Sequence, residues 1–408
     1  MRPAQKVART IEPVPKLSRA DRAYLEEIYR DTWNYLAHFV YEPTGLPYDS
    51  CAMQPPTSMT NVGLYLASVR TAYRTGLIAE EEAKRRVVRC LESLEEVEKW
   101  RGMPRPWILT RTLAATFGEE FHYAPHLASL LAGLAVTKSA LPEFSTRIHG
   151  MIGEMELKTL YDPRTGWLKG GYDVKTRNFA IYQPWGYWYY KFFASPVRLL
   201  SFYMIAKRAA PKKLWLSLVR PEQTKEGETF FVSGYEDAGL AEPFIPAVFL
   251  DERGTEMENS LRGMVRYQIK HAQRIDAPVW GWSSAESPQG RYLTFGLLRD
   301  DIVAPYASML AAVFYPKEAV RNLKKLEELG ARPAGHDRAK GENFGFRDSF
   351  NWKTGDVSRN YLAANQALGF LSLANLLHDG IVWKSFHEDP VAEKGFEILA
   401  EVFEGSRK

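Results

Sequence analysis

Two kinds of helical segment alternate along this chain of 408 residues. In the first kind, apolar residues recur at spacings of three and four, as Tyr29, Trp33 and Leu36 do between about Ala20 and Val40. In the second kind, as between His126 and Lys138, most residues are apolar and many are small. We expect helices of the first kind to be half exposed and helices of the second kind to be packed on all sides.

This alternation predicts an all-α fold in which inner helices are surrounded by outer ones. The helical segments, the long loops and the few strand-like pieces fit an α/α toroid, a six-hairpin α/α barrel with minor β-structure. An α-solenoid is the alternative, but the sequence contains no fixed repeat. Residues 1–17 are predicted to form a loose arm and residues 18–408 a single domain.

The charges argue against several classes of partner. The chain has 53 Lys and Arg against 49 Asp and Glu, interspersed along the sequence, so nothing indicates a nucleic-acid partner. No apolar run reaches the roughly 18 residues that a membrane span needs. The opening segment is basic and proline-rich, unlike a signal peptide. Two cysteines, Cys51 and Cys90, fit a reducing compartment, so we expect a soluble cytoplasmic protein without a membrane partner.

Aromatic residues make up 13% of the chain. Aromatic rings form the flat, partly apolar walls against which sugar rings lie. Four tryptophans in predicted loops are candidates for such walls: Trp185, Trp188, Trp280 and Trp282. A packed loop is the alternative for the run around Trp185. An oligo- or polysaccharide is therefore the expected partner.

Carboxylates in the same loops meet the second requirement of glycosidic-bond chemistry, a general acid and a base or nucleophile. The candidates are Glu236, Asp237, Glu242, Glu286, Asp300, Asp301 and Asp348. Each of them taken alone also suits a helix cap or a solvated charge. Glu119, His122 and His126 suggest a metal group, but Pro125 between the histidines disfavours it, so no metal and no cofactor is expected.

Several short motifs occur in one order from about Tyr24 onward. They include Thr57-Ser-Met-Thr-Asn-Val-Gly-Leu, Ala194-Ser-Pro-Val-Arg-Leu, Val303-Ala-Pro-Tyr-Ala, Gly345-Phe-Arg-Asp-Ser-Phe-Asn, Tyr361-Leu-Ala-Ala-Asn-Gln and Phe386-His-Glu-Asp-Pro. With these motifs the chain resembles the glucoamylase-like α/α toroids active on β-1,2-glucans. The resemblance extends to the transglycosylation domain of cyclic β-1,2-glucan synthases and to endo-β-1,2-glucanases.

The resemblance implies a glycoside hydrolase or transglycosylase that acts on β-linked glucosyl units, without a metal. Glu242, in Ala-Glu-Pro-Phe-Ile-Pro, is the predicted general acid, and its apolar neighbours are the setting that raises the pKa of a glutamate. Glu286 or Asp348 is its predicted partner. The predicted substrate-binding residues are Trp107, His126, Trp185, Trp188, Trp280, Trp282, Glu236, Asp301, Asn365 and Gln366.

The chain departs from the family pattern at polar positions. Leu109 and His126 stand where the family has acidic residues, and Pro196 replaces a glutamate. The segment 364–367, Ala-Asn-Gln-Ala, replaces a His-His-Gln-Gly run. Loss of hydrogen bonds at sugar-facing positions changes how a substrate is held. A non-catalytic glucan-binding protein on the same fold is therefore the alternative function.

Overall fold

Helices dominate the structure, a computed structural model, as the alternation of segments predicts. It describes residues 16–51, 56–116, 121–179, 181–182, 186–187, 189–234, 239–293, 300–333 and 343–403, so the predicted arm lies almost wholly outside the described residues. The helices are α1 (Arg19–His38), α2 (Met59–Arg74), α3 (Glu80–Glu96), α4 (Ala124–Ala140), α5 (Ser145–Glu154), α6 (Val197–Ala206), α7 (Lys213–Ser217), α8 (Ala241–Phe249), α9 (Glu256–Arg274), α10 (Pro305–Ala311), α11 (Pro316–Glu328), α12 (Ala363–Leu377), α13 (Ile381–His387), α14 (Pro390–Ile398) and α15 (Ala400–Phe403).

The two predicted kinds of helix are both present. Every residue of α6 and of α10 is buried, whereas α3 and α11 bury one face only. Helices α2 and α4 pack so closely that a Cβ at Gly133 would lie 1.9 Å from the carbonyl oxygen of Gly63. Only glycine fits at that crossing, which explains the small residues of the inner segments.

Helices α2, α4, α6, α8, α10 and α12 are the apolar ones, and they contact one another in sequence order. Helix α2 packs on α4, α4 on α6, α8 on α10, α10 on α12, and α12 on α2. The link between α6 and α8 includes a hydrogen bond of 2.8 Å from Arg198 Nη2 to the carbonyl oxygen of Pro243. Helix α13 meets the C-terminal halves of α2, α8 and α12 through Arg70, Trp383 and Asn375. The N-terminal ends of these three helices therefore share the opposite end of the bundle.

Short antiparallel strands occupy the loops at that N-terminal end and beyond. They are β1 (Val40–Tyr41), β2 (Leu46–Pro47), β3 (Pro56–Ser58), β4 (Lys99–Trp100), β5 (Met103–Pro104), β6 (Trp107–Leu109), β7 (Phe121–Tyr123), β8 (Tyr161–Asp162), β9 (Trp167–Lys169), β10 (Gly171–Asp173), β11 (Asn178–Phe179), β12 (Ile181–Tyr182), β13 (Gly186–Tyr187), β14 (Tyr189–Tyr190), β15 (Glu222–Lys225), β16 (Glu228–Phe231), β17 (Ala285–Glu286), β18 (Tyr292–Leu293), β19 (Ile302–Val303) and β20 (Phe350–Asn351). Three pairs matter for the site: β3 with β6, β17 with β18, and β19 with β20. In the part of the chain that the structure describes, no helix combines the length and the apolar character required to cross a membrane.

A buried ion pair holds α6 against the segment that follows α8. Arg198 Nε and Nη2 donate to the two carboxylate oxygens of Glu252 at 2.7 and 2.9 Å, and the two residues are 0% and 3% exposed. We expect Arg198→Met to lower the free energy of unfolding by about 3–5 kcal/mol, because it leaves the Glu252 carboxylate buried without its partner. Denaturant titration measures this loss. The double variant Arg198→Met with Glu252→Leu is expected to recover most of it, and a single variant as stable as the wild type would contradict the prediction.

Candidate active site

Glu242 lies in the first turn of α8, where two backbone hydrogen bonds fix the helix start. The N–H of Ala241 donates to Ser283 Oγ at 2.9 Å, and the N–H of Leu240 donates to the carbonyl oxygen of Trp282 at 3.2 Å. Pro246, four residues after Glu242, has no N–H and cannot bond to the Glu242 carbonyl. The start of α8 is thus anchored to the 282–283 loop as well as by its helical bond from the N–H of Phe244 to the carbonyl oxygen of Leu240.

The Glu242 carboxyl group is set up to hold a proton. The side chain is partly exposed, and among the described residues none donates a hydrogen bond to its carboxyl oxygens. Burial of the carboxyl group raises its pKa from an ordinary value of 4.5 to about 7. Near neutral pH a substantial fraction of Glu242 is therefore protonated, as a general acid requires.

Glu286 and Asp348 are in direct contact. The N–H of Glu286 donates to Asp348 Oδ2 at 2.5 Å, and Asn360 Nδ2 donates to Glu286 Oε1 at 2.7 Å. Glu286 lies on β17 and is partly exposed. Its second carboxyl oxygen, Oε2, accepts no hydrogen bond from the described residues and is available to a ligand.

Asp348 differs from Glu286 in burial and in its hydrogen bonds. It is 1% exposed, and its second oxygen accepts a hydrogen bond of 2.8 Å from Asn365 Nδ2. Burial raises its pKa to about 7, with a further contribution from the negative charges of Glu286 and Asp49. Both Asp348 oxygens are thus engaged, whereas Glu286 Oε2 accepts no hydrogen bond from the described residues.

A chain of hydrogen bonds connects the start of α8 to Asp348. Ser283 Oγ, which accepts from the N–H of Ala241, lies 2.8 Å from Tyr306 OH. Tyr306 OH donates to the carbonyl oxygen of Ser284 at 2.8 Å, and Asn365 Nδ2 donates to the same oxygen at 3.3 Å. The three predicted catalytic residues, Glu242, Glu286 and Asp348, therefore belong to one connected region.

Asp49 is a site residue that the sequence did not single out. Its Oδ1 accepts a hydrogen bond of 2.7 Å from Asn61 Nδ2 in the first turn of α2, and its carbonyl oxygen accepts from the N–H of Ala363 at the start of α12. Burial raises its pKa, and the Glu286 charge adds to that shift. Asp49 thus brings a third ionisable group to the Glu286 side of the site, outside the catalytic motifs that the resemblance supplied.

Trp107 and His126, both predicted to bind substrate, lie together beside the start of α2. Thr60 Oγ1 lies 3.0 Å from His126 Nδ1, and the Trp107 ring meets the imidazole edge-on with 5.8 Å between centroids. Burial lowers the pKa of His126 to about 4, so the ring is neutral at physiological pH. A neutral imidazole suits hydrogen bonding to an uncharged sugar.

Two family models match the chain. Residues 27–274 match the family described as a protein of unknown function, DUF3131. The chain belongs to the DUF3131 family. Residues 207–390 match the model described as putative glucoamylase, and that range contains Glu242, Glu286 and Asp348. The predicted resemblance to glucoamylase-like proteins is therefore confirmed.

Individual relatives of this DUF3131 member are distant. The chain is 27% identical over 297 residues to the cyclic β-(1,2)-glucan synthase NdvB of Rhizobium meliloti (strain 1021). The match covers 66% of this chain but only 10% of that relative, so the chain corresponds to a small part of its length.

Solved structures share the fold along nearly the whole chain. The endo-β-1,2-glucanase of Chitinophaga pinensis, in complex with sophorotriose and glucose, has a TM-score of 0.80 at 14% identity, with 94% of this chain and 98% of that chain covered. A putative glucoamylase from Bacteroides fragilis NCTC 9343 has a TM-score of 0.78 at 18% identity, with 95% and 99% covered. An endo-β-1,2-glucanase of Talaromyces funiculosus, in complex with β-1,2-glucan, has a TM-score of 0.70 at 13% identity, with 95% and 91% covered.

Two predicted stacking residues of this DUF3131 chain lie in its core. Trp282 is 1% exposed and Trp280 is 6% exposed. The backbone of Trp282 is paired with the Gln268 side chain on α9, and its ring meets His271 edge-on at 5.0 Å. Because neither ring has an exposed face, the prediction that they form a sugar platform is corrected to a packing role.

The remaining predicted binding residues lie in several separate parts of the structure. Asn365 holds Asp348, as described above, and Asp301 Oδ2 accepts a hydrogen bond of 2.9 Å from Asn351 Nδ2 at the β19–β20 pair. Gln366 is buried, and its Nε2 donates to the carbonyl oxygen of Phe346, so it fixes the loop that carries Asp348. Trp185, Trp188 and Glu236 lie outside the described residues. The described residues contain no group of three or more His, Cys, Asp and Glu arranged for a metal ion.

Proposed function

We propose that this chain is a carbohydrate-active enzyme that hydrolyses or transfers β-linked glucosyl units, with β-1,2-glucan as the substrate class. The observation that carries the proposal is the Glu242 carboxyl group. It is partly exposed, its pKa is raised to about 7, and its helix is bonded through Ser283 and Tyr306 to the Glu286–Asp348 pair. The relatives named for β-1,2-glucan support the substrate class.

In the proposed reaction, Glu242 acts as the general acid. Its proton moves to the glycosidic oxygen as the bond between that oxygen and the anomeric carbon breaks, so the leaving sugar departs as a neutral alcohol. Positive charge develops at the anomeric carbon in that transition state. A carboxylate on the other side of the sugar stabilises this charge and completes the pair.

Glu286 is the proposed partner, because its Oε2 accepts no hydrogen bond in the described part of the chain and its side chain is partly exposed. It acts as a base that activates water or a sugar hydroxyl, or as a nucleophile that forms a glycosyl ester. With water as acceptor the reaction is hydrolysis, and with a sugar hydroxyl it is transfer. Asp348, which has both oxygens engaged, holds the Glu286 backbone in place.

The fold supports this proposal through the order of its helix contacts. We take the six apolar helices, which contact one another from α2 round to α12 and back to α2, as the inner ring of a six-hairpin α/α toroid. Residues carried on different helices meet at one end of such a ring. Glu242 on α8, Asn365 on α12 and Asn61 on α2 are placed in this way.

Incubation with glucans of different linkage tests the proposed function. We expect the length distribution of linear β-1,2-glucan to change, while β-1,3-, β-1,4- and α-1,4-glucans stay intact, as measured by chromatographic sizing of the products. Cleavage of the α-1,4-glucan instead would overturn the substrate class. Binding of β-1,2-glucan without any change in its length would favour the glucan-binding alternative, which the exposed Leu109 at an acidic position of the family supports.

A further inference from the structure

One side chain contacts the Glu286 carboxylate in the described structure, and it belongs to Asn360. Its Nδ2 donates to Glu286 Oε1 at 2.7 Å. The Asn360 backbone is fixed as well, because its carbonyl oxygen accepts from the N–H of Asp348 at 3.1 Å and its N–H donates to Ser358 Oγ at 3.2 Å. Asn360 therefore joins the two acidic residues through separate groups.

The orientation of the Asn360 amide is set by Cys51. The Cys51 thiol donates to Asn360 Oδ1, with 3.3 Å between sulfur and oxygen. Burial raises the pKa of this thiol, which keeps it protonated as a donor. A flipped amide would place its oxygen against the Glu286 carboxylate, which is repulsive, and would remove the acceptor of the thiol hydrogen bond.

The surroundings of Glu286 make this donor important. Asp348 Oδ2 accepts from the N–H of Glu286, so Asp348 holds the backbone of Glu286 and not its carboxylate. Among the described residues, the Asn360 amide is therefore the group that fixes the direction of the Glu286 side chain. A carboxylate held through one oxygen keeps its other oxygen in one place for a ligand.

We propose that Asn360 is a positioning residue of this site, which holds the Glu286 carboxylate in one orientation, and that the Cys51 thiol fixes the direction of the Asn360 amide. This inference rests on the proposed function, because it assigns a task to Glu286 as the partner of Glu242.

Steady-state kinetics on β-1,2-glucan test the inference. Asn360→Ala is expected to lower kcat at least tenfold with KM within about twofold, since the hydrogen bond that orients the Glu286 carboxylate is lost outside the substrate contacts. Cys51→Ala is expected to lower kcat by less, again with KM within about twofold. Cys51→Ser, which keeps a donor, is expected to behave as the wild type.

Two matched controls separate this role from a structural one. Asn322→Ala removes a buried asparagine that bonds to the Trp280 backbone, and Cys90→Ala removes the other cysteine, on α3. Both are expected to change stability but not kcat. An Asn360→Ala variant that keeps the wild-type kcat, or that loses activity through KM alone, overturns the inference. If that variant does not fold, equal kcat values for Cys51→Ala and Cys51→Ser overturn it instead. Absence of turnover by the wild type overturns the proposed function itself.

Discussion

Glu242→Gln is expected to abolish turnover of β-1,2-glucan while leaving the glucan bound. Glutamine keeps the size of the side chain but has no proton to give, and a general acid contributes about 10²–10⁴ in rate. Steady-state kinetics measure the loss, and calorimetric titration with a β-1,2-linked oligosaccharide measures the binding. Glu318→Gln, which changes a glutamate in the first turn of α11, is the matched control and is expected to be fully active.

The leaving group provides a second measurement of the same role. An aryl β-glycoside whose phenol is a strong acid departs without protonation, so Glu242→Gln is expected to retain much of its activity on that substrate. The wild-type rate on glucan is expected to fall above pH 7, because the protonated fraction of Glu242 falls there. The variant is expected to show no such fall on the activated substrate. Equal losses on both substrates would contradict the acid role.

Glu286→Gln is expected to lower the rate by several orders of magnitude on glucan and on the activated aryl glycoside alike. The carboxylate acts at the anomeric carbon, and that step is needed whichever group leaves. Asp348→Asn is the comparison, because it changes a buried carboxyl group whose two oxygens already accept hydrogen bonds. We expect the rate of Asp348→Asn to fall about tenfold to a hundredfold, because the change displaces Glu286, whose backbone Asp348 holds. A greater loss of rate in Asp348→Asn than in Glu286→Gln would contradict this assignment and would make Asp348 the partner of Glu242.

Local patterns predict much of the fold and part of the site. The apolar residues of a helix predict where it lies in the chain and which of its faces are buried. Helices α1 and α4 are accordingly found where the apolar residues predict them. The apolar setting of Glu242 is also local, since it comes from neighbours within the same helix turn. The raised pKa of Glu242 follows from that setting.

Other parts of the site depend on contacts between distant segments. Cys51 and Asn360 are more than 300 residues apart along the chain, and they meet because the backbones of Cys51 and Ser50 pair with those of Tyr361 and Leu362. No sequence spacing indicates that pairing. The prediction for Trp280 and Trp282 was wrong for the same reason. The Trp282 backbone is paired with Gln268 on α9, and this pairing buries the residue in the core. A loop position in the sequence does not reveal such burial.

Sizing of β-1,2-glucan products from the wild type and from Glu242→Gln, side by side near pH 6, tests the central claim most directly. The wild type is expected to change the length distribution of the glucan with time. Glu242→Gln is expected to leave the distribution unchanged although it binds the same oligosaccharide with similar affinity. A wild type that binds without changing the distribution, or a variant that changes it as fast as the wild type, would contradict the account.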